Sequence, residues 1–383
     1  MTMRCAALAL FAALAACTSD PGPVADPPAV VPQAGFASAS VFVVASEATA
    51  ESFAVLSQNS TTGVLGLLPG SPADVGISIG DVETLAADAA LRRVFFGSNE
   101  SGRIAVVQIG DDGAPAPVAG SPFEAEQGSI SVIKVSPTGQ NLYVGYHAAN
   151  LISRYTVDPT GALTLVQTIS TGGRERVETM VLLGDVLYVG FLGSSSIIGI
   201  RLDGEAFEVD GLAAPVLAAD VPTNTRPDYL VALGARLYCS LANDGSVDAF
   251  DVGADGSLTR IAGAPYRFDG IGLFELIAVQ PGGGLLAVGA ETPSGAAALF
   301  TINADGSLTP TGEAFVLHDR RGGPEGLTFS ADGRFLYVCD HVGQGLYAFD
   351  VTGGTLAAAV PPRYELPGKQ IDIVRLDVAV APE

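Results

Sequence analysis

Short apolar runs separated by polar turns fill most of this chain. The phrase VSPTGQNLYVGYH, residues 135–147, joins two apolar runs through a Pro/Gly turn, and the second run is rich in Tyr and Val. The phrase FSADGRFLYVCDH, residues 329–341, repeats it almost position for position. Few segments show the spacing of an amphipathic helix. The pattern therefore predicts an all-β protein with many tight turns.

The same two-strand phrase recurs along the chain, and each copy is followed by a third strand, an Asp/Gly turn and a fourth strand. The predicted starts of the first strand are residues 83, 131, 178, 228, 275, 325 and 372. A four-stranded unit repeated every 47 to 50 residues is typical of a propeller blade. We therefore predict one domain over residues 37–383, a seven-bladed β-propeller of four-stranded antiparallel blades.

The two chain ends are predicted to complete one blade together. VFVVASE, SFAVLSQ and VLGLLPG near the N-terminus supply three strands, and QIDIVRLDVAV at the C-terminus supplies the innermost one. Pairing the ends in this way removes the open sheet edge that a linear array of blades exposes.

The N-terminal segment has the pattern of an export signal. Residues 1–17, MTMRCAALALFAALAAC, have a short basic start and an apolar core too short to span a membrane. Their end, LAAC, resembles a bacterial lipobox in which Cys17 is acylated; an ordinary signal peptide cut nearby is the alternative. The Pro-rich residues 18–36 predict an extended tether that does not pack. We expect an exported protein held in the cell envelope by lipid alone, at the outer membrane or the periplasmic face.

The net charge of −22, from 41 acidic and 19 basic residues, narrows the choice of partners. Phosphate backbones repel such a surface, so nucleic acid is excluded. A small polar molecule or an envelope protein is the expected partner of a monomeric chain. Cys239 and Cys339 lie in strand-like runs without the spacing of a metal site, which favours buried free thiols over a disulfide.

Several phrases resemble the seven-bladed lactonase family, which includes 6-phosphogluconolactonases. They are SPTGQNLYVGYHAANLISRYTVDPTGALTLVQ, SADGRFLYV and the recurring GSPF. The resemblance covers nearly the whole predicted mature chain and implies a hydrolase that opens a small polar lactone or ester at the channel mouth. A non-catalytic propeller that binds a ligand or an envelope protein is the alternative, so whether the chain is an enzyme stays open.

The family's catalytic members carry His or Arg where innermost strands start. This chain has Pro324-Glu325-Gly326 and Pro227-Asp228-Tyr229 there instead. The charge is therefore inverted where a sugar acid or a phosphate would be held, and no catalytic residue transfers from the resemblance.

Acids occupy six of the seven predicted strand starts. The seven residues are Glu83, Ser131, Glu178, Asp228, Glu275, Glu325 and Asp372. These positions converge on the channel rim of a propeller. The acids predict either clips between blades or a ring that binds a polyhydroxylated ligand or a divalent cation such as calcium. No contiguous calcium loop, other metal motif or cofactor motif occurs.

Basic residues are concentrated just before the same strand starts. They are Arg174, Arg176, Arg226, Arg267, Arg320, Arg321 and Lys369. Such cations either neutralise the acids or bind a carboxylate or phosphate group. From both sets, the candidate ligand-binding residues are Glu83, Glu178, Arg226, Asp228, Glu275, Arg320 and Glu325.

Two histidines share one position of the repeat. His147 and His341 end the second strands of blades 3 and 7, where we expect them to reach the channel face. Neutral histidine is the natural general base near pH 7, so both are candidate catalytic residues; surface histidines without a role are the alternative. Tyr146 and Asp340 beside them are further candidates for ligand contact.

Overall fold

Seven β-sheets surround a central channel, one for each predicted blade. The computed structural model describes residues 30–35, 37–47, 52–79, 83–209, 215–343 and 345–382. The seven innermost strands contact one another in a closed cycle. The all-β class and the seven-bladed propeller are thereby confirmed. The predicted signal peptide with Cys17 lies outside the described residues.

The strands are numbered in chain order. Blade 1 begins with β1 (Gln33–Ala34), β2 (Val41–Glu47), β3 (Phe53–Gln58) and β4 (Leu65–Leu67). Blade 2 contains β5 (Leu85–Asp88), β6 (Arg93–Gly97), β7 (Arg103–Ile109), β8 (Pro115–Pro117) and β9 (Phe123–Glu124). Blade 3 contains β10 (Ile130–Val135), β11 (Asn141–Tyr146), β12 (Leu151–Val157) and β13 (Leu163–Ser170). Blade 4 contains β14 (Val177–Leu183), β15 (Val186–Phe191), β16 (Ser196–Asp203), β17 (Ala206–Phe207) and β18 (Leu217–Pro222).

The remaining blades follow the same order. Blade 5 contains β19 (Pro227–Leu233), β20 (Arg236–Leu241), a 3-10 turn (Ala242–Asp244), β21 (Ser246–Val252), β22 (Leu258–Arg260) and β23 (Tyr266–Arg267). Blade 6 contains β24 (Gly272–Val279), β25 (Leu285–Thr292), β26 (Ala296–Ile302) and β27 (Leu308–Val316). Blade 7 contains β28 (Pro324–Phe329), β29 (Phe335–Asp340), β30 (Gly345–Asp350) and β31 (Ala357–Tyr364). The innermost strand of blade 1 is β32 (Lys369–Leu376).

The ring closes through β32, which pairs antiparallel with β2 from Val41 opposite Leu376 to Glu47 opposite Lys369. This is the predicted closure. The sequence placed Gln33 and Ala34 in the tether, whereas in the structure they form β1 and pair parallel with β4. Blade 1 therefore gains a short fifth strand from residues that precede the predicted domain boundary.

The hydrophobic core lies between blades. At the closing interface, the rings of Phe42 in blade 1 and Tyr337 in blade 7 have centroids 4.7 Å apart. Apolar side chains of the inner three strands pack in the same way around the ring. Cys239 and Cys339 are buried in these interfaces as free thiols, which confirms the sequence expectation.

Four tyrosines of the recurring second-strand phrase clip neighbouring blades together. Each is fully buried, and its hydroxyl donates to a carbonyl oxygen in the turn between the third and fourth strands of the next blade. The bonds are Tyr143 to Glu205 at 2.8 Å, Tyr188 to Gly256 at 2.8 Å, Tyr238 to Gly306 at 3.1 Å and Tyr337 to Gly63 at 2.7 Å. A buried phenol hydroxyl needs such a partner, so each of these tyrosines packs its ring in the core and bonds its hydroxyl to the next blade.

Pro-containing turns break the outer strand in two blades. Ser121-Pro122 lies between β8 and β9, and Ala264-Pro265 lies between β22 and β23; both peptide bonds are cis. Proline has no backbone N–H to donate, so the ladder to the third strand is interrupted at these points. The GSPF-like phrases of the sequence mark these breaks. In the part of the chain that the structure describes, no helix has the length and apolar character needed to cross a membrane.

Candidate functional site

The innermost strands of five blades open with a β-bulge, and the predicted start position is the extra residue. In β28, Pro324 faces Asp340 and Gly326 faces Cys339, which leaves Glu325 unopposed. The equivalent residues of the other four blades are Ser131, Glu178, Asp228 and Glu275. A bulge re-aims the side chain it carries out of the regular ladder. Glu178, Glu275 and Glu325 are thereby presented, partly exposed, at the channel mouth. Asp228 and Ser131 are buried beside them, and Ser131 Oγ donates to the carbonyl oxygen of Val177 at 2.6 Å.

The assignment of Asp372 to the seventh start position is wrong by one residue. In β32 the register shifts between Asp372, which faces Ala45, and Gln370, which faces Ser46. The extra residue is therefore Ile371. Asp372 lies one position further along the strand and is buried in the channel, with 4% of its surface exposed.

A second set of side chains reaches the mouth from the ends of the second strands. The ladder registers place Glu47, His147, Leu192, Ala242, Glu291 and His341 at one position of their blades. The backbone N–H groups of His147 and His341 donate to the carbonyl oxygens of Ser129 and Gly323, both at 2.9 Å. These bonds tie the end of each second strand to the loop that enters the innermost strand.

Arg226 lies between carboxylates of blades 5 and 6. Its Nε is 2.6 Å from Asp228 Oδ1, and its Nη2 is 3.0 Å from Asp228 Oδ2 and 3.7 Å from Glu275 Oε1. The hydrogen bonds to Asp228, and the charges of Asp228, Glu178 and Glu275, raise the pKa of Arg226. Its guanidinium is one-third exposed, so it faces solvent at the mouth while paired.

Glu275 is the carboxyl group at the mouth whose protonation is most perturbed. Burial, followed by the charges of Glu291, Asp228 and Glu325, raises the pKa of Glu275 to about 8, and Arg226 partly offsets this. Its side chain is 24% exposed. The group therefore holds a proton in most molecules at pH 7 and remains in reach of a ligand in the mouth.

His341 bridges two carboxylates across the ring closure. Its Nδ1 lies 3.0 Å from Glu325 Oε1, and its Nε2 lies 3.1 Å from Glu47 Oε2. Lys369 Nζ lies 3.3 Å from the same oxygen of Glu47. The hydrogen bond to Glu325 is the largest cause of a raised pKa of His341. Two carboxylate partners favour the imidazolium form, which joins blade 7 to blade 1 and has no lone pair to accept a proton.

We call the charged residues of this sector the mouth cluster. It consists of Glu47, Arg226, Asp228, Glu275, Glu291, Glu325, His341 and Lys369. Sequence reasoning singled out five of them as site candidates and noted Lys369 among the bases, but missed Glu47 and Glu291. Both occupy the repeat position of the two histidines, so aligning the ends of the second strands would have found them.

His147 belongs to a separate group. Arg176 Nε, in the loop entering blade 4, donates to His147 Nε2 at 2.5 Å. The accepting nitrogen is unprotonated, so this histidine is held neutral at that position. The structure thus places the two candidate catalytic histidines in different sectors, His147 against blade 4 and His341 against blade 1, and their catalytic role stays a prediction.

Asp340 lies behind the mouth with His318. His318 Nδ1 accepts the backbone N–H of Arg320 at 3.2 Å, which leaves the proton on Nε2, 3.2 and 3.1 Å from the two Asp340 oxygens. Asp340 also accepts the N–H groups of Val342 and Gly343. Both side chains of the pair are fully buried. They join the loop entering blade 7 to the loop that carries His341, while Arg320 itself is exposed.

Tyr146 is also buried, with no exposed surface. Its hydroxyl lies 3.2 Å from that of Tyr155, and burial raises the pKa of Tyr146 far above its usual range. Glu178, by contrast, is half-buried at the mouth, and its charge helps to raise the pKa of Arg226. The structure therefore places Glu178 at the mouth, near Arg226 of the mouth cluster, and sets Tyr146 beneath the surface.

Glu83 lies deeper in the channel, with 1% of its surface exposed. Thr179 Oγ1 donates to its Oε1 at 2.8 Å, and Lys134 Nζ is 3.4 Å from its Oε2. Burial raises the pKa of Glu83 to about 7, partly offset by Lys134 and Thr179. Burial also raises the pKa of Asp372 to about 7, partly offset by the backbone N–H of Ile373 and by Lys134.

Five blades contribute to this buried group. Lys134 Nζ also lies 5.3 Å from the centroid of the Tyr229 ring. We call the set, Glu83, Lys134, Thr179, Tyr229 and Asp372, the channel layer. It crosses the channel from blade 2 to blade 5. Beyond it, the far ends of the innermost strands border an open pocket of about 540 Å³ that is lined by Tyr229, Phe329 and Arg375 among others.

Carboxylates of the mouth cluster are the residues that could hold a hard cation. Among the described residues, no group of three or more His, Cys, Asp or Glu side chains converges as a metal site requires. The calcium expectation stays a prediction.

The fold has counterparts among known proteins. Residues 114–222 match the family described as lactonase, seven-bladed β-propeller. A 6-phosphogluconolactonase of Erwinia tasmaniensis is 24% identical over 217 residues, which cover 56% of this chain and 62% of that protein. The match therefore spans less than two thirds of the length of this curated relative. The resemblance to the lactonase family that the sequence indicated is confirmed.

Two solved structures resemble the whole propeller. A putative 6-phosphogluconolactonase of Bacteroides fragilis is 16% identical, with 88% of this chain and 98% of that chain covered and a TM-score of 0.71. A periplasmic gluconolactonase of Pseudomonas aeruginosa is 19% identical, with 88% and 99% covered and a TM-score of 0.71. At these identities the similarity shows the shared fold.

Proposed function

We propose that this lactonase-type seven-bladed propeller hydrolyses a small polar lactone or ester at its channel mouth. The proposal is carried by Glu275 and Arg226, a carboxyl group with a pKa raised to about 8 beside a cation that faces solvent. A group that transfers protons works best when its pKa lies near the working pH. Similarity to a 6-phosphogluconolactonase and to a gluconolactonase supports the same class of reaction.

Opening a lactone needs a base for the attacking water and positive charge for the carbonyl oxygen. In this proposal, ionised Glu275 takes a proton from water as the water oxygen bonds to the carbonyl carbon. Arg226 stabilises the negative charge that develops on the carbonyl oxygen. The ring C–O bond then breaks, and Glu275 returns its proton to the departing oxygen. The product is the open-chain hydroxy acid.

The test is base consumption by a stirred lactone solution from pH 6 to pH 9, with spontaneous hydrolysis measured without protein and subtracted. The protein-dependent rate is expected to rise as the pH passes about 8, because ionised Glu275 is the active form. Glu275→Gln is expected to lower kcat by about 100-fold or more. Glu313→Gln, an exposed position on β27, is the matched control and should leave the rate unchanged. Equal rates for Glu275→Gln and wild type would remove Glu275 from the mechanism.

A non-catalytic propeller is the second candidate. It is favoured by His341, since this candidate base is engaged through both ring nitrogens. Absence of any protein-dependent rate, together with calorimetric binding of the lactone that Arg226→Ala abolishes, would establish the binding function in place of the hydrolase.

We also propose that the protein works in the cell envelope, anchored through acylated Cys17. The lipobox-like LAAC and the similarity to a periplasmic gluconolactonase support this location. Cys17→Ser is expected to move the protein from the membrane fraction to the soluble fraction of lysed cells. An unchanged membrane fraction would contradict the anchor.

A further inference from the structure

We infer that the mouth cluster selects uncharged polyhydroxylated lactones and rejects phosphorylated or carboxylated ones. This inference rests on the proposed function and names the substrate class of the same site. It departs from the 6-phosphogluconolactonase that the chain resembles, and it follows from how the charges of the mouth are paired.

Four carboxyl groups meet in one sector of the mouth: Asp228, Glu275, Glu291 and Glu325. The other three each act on Glu275 strongly enough to oppose its ionisation. Three of the four start innermost strands beside the channel and are three-quarters or more buried: Asp228, Glu275 and Glu325. The field of the carboxylates around Glu275 is therefore poorly screened by solvent, and it acts equally on any other anion that enters.

The cations of the mouth cluster are already engaged by carboxylates. Arg226 donates hydrogen bonds to both carboxylate oxygens of Asp228, at 2.6 and 3.0 Å. His341 is held between Glu325 and Glu47, at 3.0 and 3.1 Å. Lys369 pairs with Glu47 as well, at 3.3 Å. A phosphate group carrying between one and two negative charges would have to displace these carboxylates from their partners.

An uncharged polyol fits the same surroundings. Carboxylates are hydrogen-bond acceptors with several lone pairs, and sugar hydroxyl groups are donors. Glu325 can accept such bonds as a carboxylate, and protonated Glu275 can both accept and donate one, without moving a salt-bridge partner out of place. Charge-assisted hydrogen bonds of this kind are stronger than neutral ones, so the site gains affinity from hydroxyl groups and loses it to anions.

The first test compares kcat/KM for glucono-δ-lactone and its 6-phosphate at pH 7 in low and high salt. The uncharged lactone is expected to be favoured about tenfold or more. High salt should narrow the difference by raising only the rate with the phosphate, because screening weakens the repulsion. Preference for the phosphate would overturn the inference and leave the proposed hydrolase intact.

A binding measurement decides the inference even if neither lactone is hydrolysed. The corresponding lactams, uncharged and 6-phosphorylated, resist hydrolysis and are titrated into the protein by calorimetry. Tighter binding of the uncharged lactam supports the selection. Tighter binding of the phosphorylated lactam, or of neither, overturns it. If neither lactone is hydrolysed but the uncharged lactam still binds more tightly, the result would count against the proposed reaction and not against the inferred selection.

Variants locate the effect. Glu291→Gln removes one negative charge from the mouth without a change in shape and is expected to improve the phosphate-to-neutral ratio of kcat/KM several-fold. Glu313→Gln on the outer strand should leave that ratio unchanged. Arg321 is exposed in the loop before β28, outside the mouth cluster. A selective loss of activity on the phosphate in Arg321→Ala would show that a phosphate is bound there and would overturn the inference.

Discussion

Glu275 in blade 6 and Glu83 in blade 2 occupy the same position of the repeat, the predicted start of the innermost strand. Both have a pKa well above the ordinary value of a glutamate. Burial is the main cause in each, with a pKa of about 8 for Glu275 and about 7 for Glu83. Their surroundings differ. Around Glu275 the nearby charges are mostly carboxylates, and a quarter of the side chain is exposed. Around Glu83, Lys134 and Thr179 compensate the charge, and almost no surface is exposed.

The difference separates a proton that a substrate can reach from one that it cannot. In the mouth cluster the raised pKa is available to chemistry, because solvent and ligand meet Glu275. In the channel layer the raised pKa instead affects the stability of the ring. Glu83 returns to its ordinary pKa only when the channel opens and exposes it to water. A raised pKa alone does not identify a catalytic group.

The protein has two lysines, Lys134 in the channel layer and Lys369 in the mouth cluster. Replacing each of them in turn is expected to give the largest difference in stability between the two regions. Lys134→Met leaves Glu83 and Asp372 buried without their cation and is expected to cost about 3 kcal/mol of unfolding free energy at pH 8. The cost should shrink at pH 5, where both carboxyl groups are protonated. Lys369→Met breaks a half-exposed pair and is expected to cost less than about 1 kcal/mol. Urea unfolding at both pH values measures these differences, and equal costs for the two variants would contradict them.

Glu83→Gln should flatten the dependence of stability on pH. The pKa of Glu83 is about 7 in the folded protein against an ordinary value of 4.5, so the folded state binds the proton more tightly. Its contribution to the unfolding free energy is therefore full below about pH 4.5. It falls by about 3 kcal/mol as the pH rises to 7.

Glutamine does not ionise. Between pH 5 and pH 8, the unfolding free energy of the Glu83→Gln variant should therefore decline without the part that Glu83 contributes in the wild type. The control Glu313→Gln should keep the wild-type slope. A Glu83→Gln slope equal to that of wild type would mean that the channel layer does not carry the effect.

Asp228→Asn is expected to have a small effect on stability and a clear effect on the mouth. It removes one of the charges that raise the pKa of Glu275 and leaves Arg226 to favour the ionised form, so the pKa of Glu275 should fall. The cost in unfolding free energy should be about 1 kcal/mol, since Arg226 is one-third exposed. Carbon NMR titration of the glutamate carboxyl groups measures the change. Glu83 serves as the internal control, and an unshifted midpoint for Glu275 would contradict the coupling.

The blade count and the closure could be predicted because each blade repeats one pattern of apolar runs and turns. The starts of the innermost strands were also found, since an acid before an apolar run is conspicuous. Their bulges were not, because an extra residue leaves no signal in the apolar pattern. In β32 this mattered: a bulge at Ile371 shifted Asp372 from the mouth into the channel.

The tyrosine clips between blades were missed for a related reason. The sequence drew attention to the acids, and these do join blades, as Glu325 and Glu47 do through His341. Hydroxyl groups of the second-strand tyrosines join four pairs of blades. Those tyrosines repeat as visibly as the acids, but an aromatic residue in a strand is expected to pack rather than to bond. The channel layer could not be foreseen at all, because Glu83, Thr179 and Lys134 meet across blades, where no sequence spacing relates them.

The pairing of β2 with β32 sets an order on how the molecule can be made. A ribosome produces β2 before β32. The backbone edge of β2 and its apolar residues Val41, Phe42 and Val43 therefore stay without their partner strand until β32 has been synthesised. Every shortened chain that stops before β32 keeps that edge open, ready to pair with another chain or to be degraded. Completion of the ring is thus a built-in check that synthesis has reached β32.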